Sequence, residues 1–476
     1  MLWLALYLPS LPLEALLRGH ASHEREAWAV AEGRSVIACD ARALFLGVRA
    51  GMGLAAASAL APQLRVRARD EAIERAALEG VAAWAGRFTP LVSLEPPQGM
   101  LAEVAGSLRL FGGLAPLACR LRAGLGELGF SATLAAAPTA RGAWWLAAAG
   151  REELIEVRAA LERALAPLPV ALACAEPGAL ELLRNVGVAT VGALARLPRA
   201  GLARRLGARL LDDLDRALGK LPEPRATFAP PSRFAARLEL PGEVTHAEGV
   251  LFAARRLLVQ LEGLLAARQE GVRRFVLTLV HRGAPATAVE VGLASPGRET
   301  ARFVELLRER LAAIALTEPV EAIRLEASGF VSLHGHTAGL FGDARAEGEG
   351  WARLLERLQA RLGGEAVHGL GLNAEHRPER AWRMLAPGER LPPGAAQLGP
   401  RPLWLIQPPR RLREAGGVPH GGGPLELLAG PERIESGWWD EGDVARDYFI
   451  ARAAGAALLW VYREPGGGWY LHGLFA

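Results

Sequence analysis

The sequence predicts an α+β chain of several domains, and three observations carry that expectation. Its 476 residues exceed what one ordinary hydrophobic core covers, which gives about three or four domains. Residues 234–333 alternate strand and helix patterns in the order β-α-β-β-α-β, the ferredoxin-like split unit. That run stands between a stretch with helical spacing alone, 178–219, and a tail of short strands, 401–476.

Residues 2–8 read as a short buried strand that ends at Pro9, because proline cannot donate to a ladder. Residues 35–39 read as a second strand. A glycine-punctuated loop at 47–53 leads into a helix over 54–61, and 69–85 carries helical apolar spacing. Strand-like stretches at 91–94 and 100–104 flank a turn of Pro96, Pro97 and Gly99. A helix (114–128), a strand (131–135) and a helix (141–149) follow. Short helices separated by Gly187, Pro198 and Gly207 fill 178–219, and Pro222, Pro224, Pro230 and Pro231 predict a stiff linker. Strands at 234–240, 272–281, 286–293 and 323–333, with helices at 246–267 and 299–314, make the split unit. Residues 335–400 read as a loop with one helix, 351–362.

With 51% hydrophobic and 22% charged residues the composition is globular. A net charge of +4 spread over this length permits nucleic-acid binding without demanding it. Cys39, Cys119 and Cys174 are far apart, which argues against a disulfide framework or a thiol zinc site and fits a reducing cytoplasm. The apolar start contains Pro9 and Pro12 and has no leading basic residue, so it reads as a strand and not a signal peptide. No apolar run reaches the roughly 18 residues of a membrane span. Lys220 is the one lysine among 55 basic side chains, and no aspartate lies between Asp70 and Asp212. A codon bias toward Arg, Ala and Gly is the plain reading, yet the gaps constrain chemistry.

The segment from Arg34 through Gly47-Val48-Arg49-Ala50-Gly51-Met52 resembles the fingers of Y-family (DinB/UmuC-type) translesion DNA polymerases, where a strand leads to a G-V-R-x-G-M loop and a helix. Further matches follow in order. Arg87 to Val92, and Glu103 to Ser107 with Leu110-Phe111-Gly112-Gly113, are similar to the entry and exit of the family's palm strands. Gly129 to Thr133 and Ala137-Pro138 are similar to the next palm strand, and Leu183 to Leu194 to the thumb's helix-hairpin-helix. The resemblance implies a right-hand architecture: palm-like 1–10 and 75–166, fingers-like 11–74, a helical thumb-like 167–231 and a little-finger-like 232–335. A linker, 336–400, and a mostly-β extension, 401–476, complete it.

Polymerases of this family hold two Mg²⁺ ions with carboxylates, because in-line phosphoryl transfer needs the attacking and leaving oxygens clamped. In register with the family, Pro9, Gln98 and Gly99 stand at the metal-ligand positions, and Ala41, Leu44 and Trp144 at the nucleotide contacts. The resemblance therefore implies a polymerase frame without its catalytic residues, and no cofactor. Glu95 and Glu103 are the acids nearby; a rearranged metal site built on them is the enzymatic alternative. Arg42 is an alternative nucleotide contact.

The DNA-holding parts are better kept. Gly187 and Gly192 suit a hairpin loop whose amides face a phosphate, and Arg204 and Arg205 add charge. Arg273, Arg274 and Arg282, with His281, flank one strand of the little-finger-like unit; they suit phosphate contacts or a solvated face equally. His334-Gly335-His336 lacks further ligands at zinc spacing and reads as a polar loop. Leu340 and Phe341, in Thr337-Ala338-Gly339-Leu340-Phe341-Gly342, resemble the anchors of a bacterial sliding-clamp peptide, with Thr337 where glutamine belongs.

The tail, with Gly437-Trp438-Trp439-Asp440, Arg446-Asp447-Tyr448-Phe449 and 469–475, resembles the C-terminal region of the ImuB subgroup; a small strand domain with a tryptophan core is the plainer reading. The subgroup implies a cytoplasmic, non-catalytic adaptor of DNA-damage-induced (SOS) translesion synthesis. It would join DNA, the sliding clamp, an ImuA/RecA-like protein and a separate error-prone replicative-type polymerase. A DNA-binding structural protein without a clamp role is a third reading.

Overall fold

The computed structural model describes residues 1–19, 26–174, 176–316, 318–333, 344–386, 389, 400–440 and 442–475, with the backbone alone for 241–243, 344–349 and 364. It divides into two units, Met1–Arg361 and Leu362–Ala476.

The first unit begins with β1 (Trp3–Tyr7), whose side chains are buried on both faces, and α1 (Leu11–Leu17) follows at once, with Pro12 in its first turn. A small three-stranded sheet comes next: β2 (Trp28–Glu32), β3 (Ser35–Cys39), then α2 (Ala41–Phe45), α3 (Leu54–Leu60) and β4 (Arg65–Ala68). β2 is central, antiparallel to β3 and parallel to β4, over a core of small residues such as Ala29, Val36, Val48 and Ala57.

The chain then returns to β1. After α4 (Glu71–Ala85), capped by the Asp70 carboxylate on the amides of Ala72 and Ile73, come β5 (Val92–Glu95), β6 (Gly99–Glu103), α5 (Leu108–Phe111), α6 (Leu114–Leu128), β7 (Thr133–Ala137), α7 (Ala140–Ala148) and α8 (Arg158–Leu165). The sheet order is β5-β6-β1-β7. Because side chains alternate along a strand, Leu2, Leu4, Leu6 and Leu8 meet Leu78, Val81, Trp84 and Leu121 of α4 and α6, while Ala5, Leu101 and Ala135 face Ala143, Leu146 and Leu161 of α7 and α8.

The helical module holds α9 (Pro177–Asn185), α10 (Val191–Ala195), α11 (Arg199–Leu206) and α12 (Ala208–Ala217) around Val170, Leu183, Leu194 and Leu202. The proline-rich stretch after it is no free spacer: the Phe228 amide donates to Val92 O on β5 at 2.7 Å.

Next stand β8 (Phe234–Val244), α13 (Ala247–Arg268), β9 (Glu270–His281), β10 (Thr287–Gly297), α14 (Thr300–Ala312) and β11 (Val320–Ala327), in the order the sequence predicts. The sheet order β10-β9-β11-β8 is antiparallel throughout. Each helix therefore joins two parallel strands with one strand between them, which is the split arrangement. The strand expected at 323–333 is two pieces, β11 and β12 (Val331–Ser332). Helix α13 lies close on α4, and Gly263 allows it: a Cβ there would fall 2.2 Å from Trp84 Cδ1.

The expected helix at 351–362 is longer, α15 (Ala344–Leu362), and its buried Glu356 joins Arg302 of α14 and accepts from the Ala294 amide at 2.8 Å.

The second unit holds a hairpin, β13 (Gly369–Leu372) with β14 (Trp382–Leu385), absent from the sequence expectation. Its cross-strand pairs Leu370↔Met384 and Leu372↔Trp382 are exposed. A six-stranded antiparallel sheet follows: β15 (Trp404–Ala415), β16 (Val418–His420), β17 (Glu426–Ser436), β18 (Val444–Arg452), β19 (Leu458–Arg463) and β20 (Trp469–Leu474), ordered β16-β15-β20-β19-β18-β17. Trp460 and Trp469 are buried in it, whereas Trp438 is 81% and Trp439 57% exposed, so half of the expected tryptophan core faces solvent.

Candidate functional site

β1 ends where β5 turns into β6, and the cross-strand register sets Tyr7 opposite Gly99 and Gly99 opposite Glu95. Pro9, Gln98, Gly99 and Trp144, four residues read from sequence as site positions, meet here. The Leu8 amide donates to Gln98 O at 2.7 Å, Gln98 Nε2 donates to Pro9 O at 3.3 Å, and Gln98 Oε1 accepts from Tyr7 Oη at 3.3 Å. Trp144 comes off α7 and crosses Tyr7 edge to face, ring centroids 5.6 Å apart. It also covers Gly99: a Cβ at that position would lie 2.3 Å from Trp144 Cζ3 and 2.7 Å from Leu6 O. Only glycine fits beneath the indole. Tyr7 is a part of this site that sequence reasoning missed.

Magnesium takes hard, mostly anionic oxygen ligands in near-octahedral array. A prolyl ring, an amide with both ends engaged, a glycine and an indole do not fit that demand. The two nearby acids are committed elsewhere. Glu95 is ion-paired with Arg225 and, at 3.7 Å, with Arg141. Arg225 also holds Glu223 at 2.7 Å and Ser93 Oγ at 3.2 Å, and Arg141 reaches Glu223 at 3.2 Å and Asp213 at 3.6 Å. This partly buried network ties the proline-rich segment and α12 to the edge of the sheet.

Glu103 sits opposite Trp3, at the other end of β6, where its carboxylate accepts from the Leu2 amide at 2.9 Å. Four residues of strand, about 13 Å, separate it from the Glu95 level, whereas a two-metal site needs ions about 4 Å apart. Glu95 and Glu103 therefore do not form a joint site. Among the described residues no cluster of three or more His, Cys, Asp or Glu side chains could hold a metal ion.

Ala41 and Leu44 lie exposed on α2, whose N-cap Asp40 accepts from the Ala43 amide at 2.7 Å and the Trp28 amide at 3.0 Å. The hairpin glycines depart from the expected role. Gly187 makes the turn at φ +77°, with its amide on Arg184 O at 3.0 Å. The Gly192 amide donates to Ala166 O at 2.9 Å, and a Cβ there would lie 2.9 Å from Ala166 Cβ. Both amides have partners within the chain, so these glycines serve turn and packing, and neither offers a free donor to a phosphate. Arg204 and Arg205 are exposed on α11, without an ion-pair partner among the described residues.

On the split unit, Arg274 pairs with Glu290 at 3.2 Å, Arg282 with Glu321 at 2.5 Å, and Arg273 donates to Ala294 O at 3.1 Å. His281 is held between Thr287 Oγ1 at 2.9 Å and Pro319 O at 3.2 Å. Leu340 and Phe341, with 334–339, lie outside the described residues.

The tail motifs are largely structural. Asp440 binds Arg377, itself 2% exposed, at 2.7 Å, Asp447 binds Arg433 at 2.8 Å, and Arg446 binds Glu379 at 3.0 Å. Tyr448 stacks on Trp460, centroids 4.1 Å apart, and its hydroxyl meets His472 Nδ1 at 2.8 Å. Burial raises the Tyr448 phenol and lowers His472 to about 4. No helix among the described residues is long and apolar enough to cross a membrane.

A model of the impB/mucB/samB family matches residues 14–148. Protein ImuB of Caulobacter vibrioides, strain NA1000 / CB15N, is 31% identical over 462 residues, spanning 90% of this chain and 100% of the relative. Protein ImuB of strain ATCC 19089 of the same species gives the same figures. Solved structures that align over 70% of this chain include a Dbh ternary complex (TM-score 0.41, 14% identity) and DinB from Sulfolobus solfataricus (TM-score 0.39, 16% identity), each covered in full. By its identity to the Caulobacter proteins along nearly the whole chain, this protein belongs to the ImuB family of Y-family polymerase-like proteins.

Proposed function

We propose that this protein is a non-catalytic adaptor of bacterial DNA-damage-induced mutagenic translesion synthesis, working in the cytoplasm. The observation that carries the reading is the site at the end of β1: Pro9, Gln98 and Gly99 meet there under Trp144, in place of carboxylates. The neighbouring acids support it, since Glu95 is neutralised by arginines and Glu103 caps backbone amides. The chain would bind DNA through Arg204 and Arg205, with Arg273 as a further contact, and dock on the sliding clamp through Leu340 and Phe341. An ImuA/RecA-like protein and a separate error-prone replicative-type polymerase, which performs the synthesis, complete the complex. The domain limits given from sequence are part of the same proposal.

Primer extension with Mg²⁺ or Mn²⁺ tests the reading: no template-directed synthesis is expected. Synthesis that disappears on Glu95→Gln would overturn it. Clamp pull-down with Leu340→Ala and Phe341→Ala tests docking; undiminished capture would remove the clamp from the proposal.

A further inference from the structure

Helices α1, α4 and α13, with the segment from Phe228 into β8, enclose a cleft of about 780 Å³, inside the roughly 300–1,000 Å³ range of small-molecule sites. It lies on the α4 side of the first sheet. Alanines, Ile73, Leu264, Phe228 and Phe234 make most of its wall. Two polar side chains on that wall are more than nine-tenths buried and incompletely partnered. Arg18, 8% exposed, follows the last turn of α1, and its Nε has no hydrogen-bond partner. Gln260, 6% exposed, packs its Nε2 over Gly80, where a Cβ would fall 1.7 Å away, and leaves Oε1 without a partner.

A second guanidinium deepens the imbalance. A Cβ on Gly129 would lie 3.0 Å from both Arg18 Cβ and Arg256 Nε, and Arg256 Nη1 is also buried without a partner. Neither arginine has a carboxylate within ion-pair distance among the described residues. Glu14, one turn earlier on α1, is turned to the amide and hydroxyl of Ser131. Burial and the neighbouring Arg256 lower Arg18 to about 10. A hydrogen bond from water would not neutralise charge, and an unpaired buried cation costs several kcal/mol. The cleft's charged lining is Arg18, Arg233 and Arg237 against Glu79 and Glu239, with Arg237 paired to Glu239 at 2.8 Å, which leaves an excess of one positive charge.

We propose that this cleft binds a small organic anion of the mononucleotide class. The phosphate would lie against Arg18, the flat base against Phe228, and an exocyclic amine would donate to Gln260 Oε1. A largely apolar wall with one buried arginine that lacks a carboxylate partner and one open acceptor matches that combination better than it matches inorganic phosphate or a neutral nucleoside.

Isothermal titration of the full chain with AMP, adenosine and inorganic phosphate tests it. Saturable AMP binding is expected, at least tenfold tighter than either other probe, and at least tenfold weaker in Arg18→Gln and Gln260→Ala. Because removing a buried arginine can unfold the chain, Ala76→Trp serves as a second variant: it fills the cleft from its rim, and should abolish binding at an unchanged melting midpoint. No saturable AMP binding by the wild type, equal affinity for adenosine or phosphate, or undiminished binding in Ala76→Trp would each overturn the proposal.

Discussion

Gly99→Ala should loosen the sheet at the end of β1, and the contact between Gly99 and Trp144 sets the size of the effect. The added methyl would lie 2.3 and 2.5 Å from two indole carbons and 2.7 Å from Leu6 O, against an ordinary carbon contact of about 3.5–4.0 Å. The indole is half-buried and can give way, whereas Leu6 is fully buried in the middle of the sheet and its backbone cannot. Overpacking of this kind costs about 1–3 kcal/mol, and the backbone obstacle puts it near the top, about 3 kcal/mol. At about 1.4 kcal/mol per tenfold, amides of β1 and β6 should exchange with deuterium about 100-fold faster, read by mass spectrometry of peptides spanning 3–7 and 99–103. In a Trp144→Ala background the same substitution should cost about 1–2 kcal/mol less. Unchanged exchange in Gly99→Ala, or an equal cost in both backgrounds, would refute the idea that the indole holds this position to glycine.

Arg225→Ala leaves Glu95 and Glu223 partly buried with one counter-ion between them, Arg141. A loss of about 3 kcal/mol is expected, with faster protease cleavage within 222–231; an unchanged cleavage rate contradicts it. His472 titrates in the unfolded chain near 6.5 but in the fold near 4, chiefly through burial. The unfolded state therefore takes up a proton that the folded state refuses, so stability is full above pH 6.5 and falls by about 3 kcal/mol as pH drops to 4. Chemical denaturation of His472→Phe across that window should lack this component. Arg204→Ala with Arg205→Ala should weaken duplex binding uniformly across sequences and lower the salt slope by about 2, measured by fluorescence anisotropy; an unchanged slope removes both from the DNA interface.

Most strands and helices were legible because their cores repeat at helical or strand spacing. The runs 2–8, 114–128 and 234–333 bury one or both faces and say so in sequence. β4 escaped because Arg65, Val66, Arg67 and Ala68 are all exposed and pair on one side only. β13 escaped because Gly369-Leu370-Gly371-Leu372 reads as loop chemistry, although Trp382 to Leu385 pairs with it. At the candidate site, the identities of Pro9, Gln98, Gly99 and Trp144 were readable from register, but their contact was not. It closes a loop of some 45 residues between Gly99 and Trp144 and depends on α7 crossing β1. The proline-rich stretch misled for a related reason: composition predicts stiffness, while its fixation comes from Arg225 reaching partners about 130 positions earlier in the chain.

The indole over Gly99 also bears on how reversible this arrangement is. An acid introduced at position 99 meets Trp144 and Leu6 O before it meets a metal, and one introduced at position 98 loses the amide donor to Pro9 O. Each single step toward a metal-binding centre therefore lowers stability without yet creating an ion site. Only a concerted set of changes, including loss of the indole, would cross that valley. Trp144 thus penalises any side chain added at position 99, whatever its chemistry.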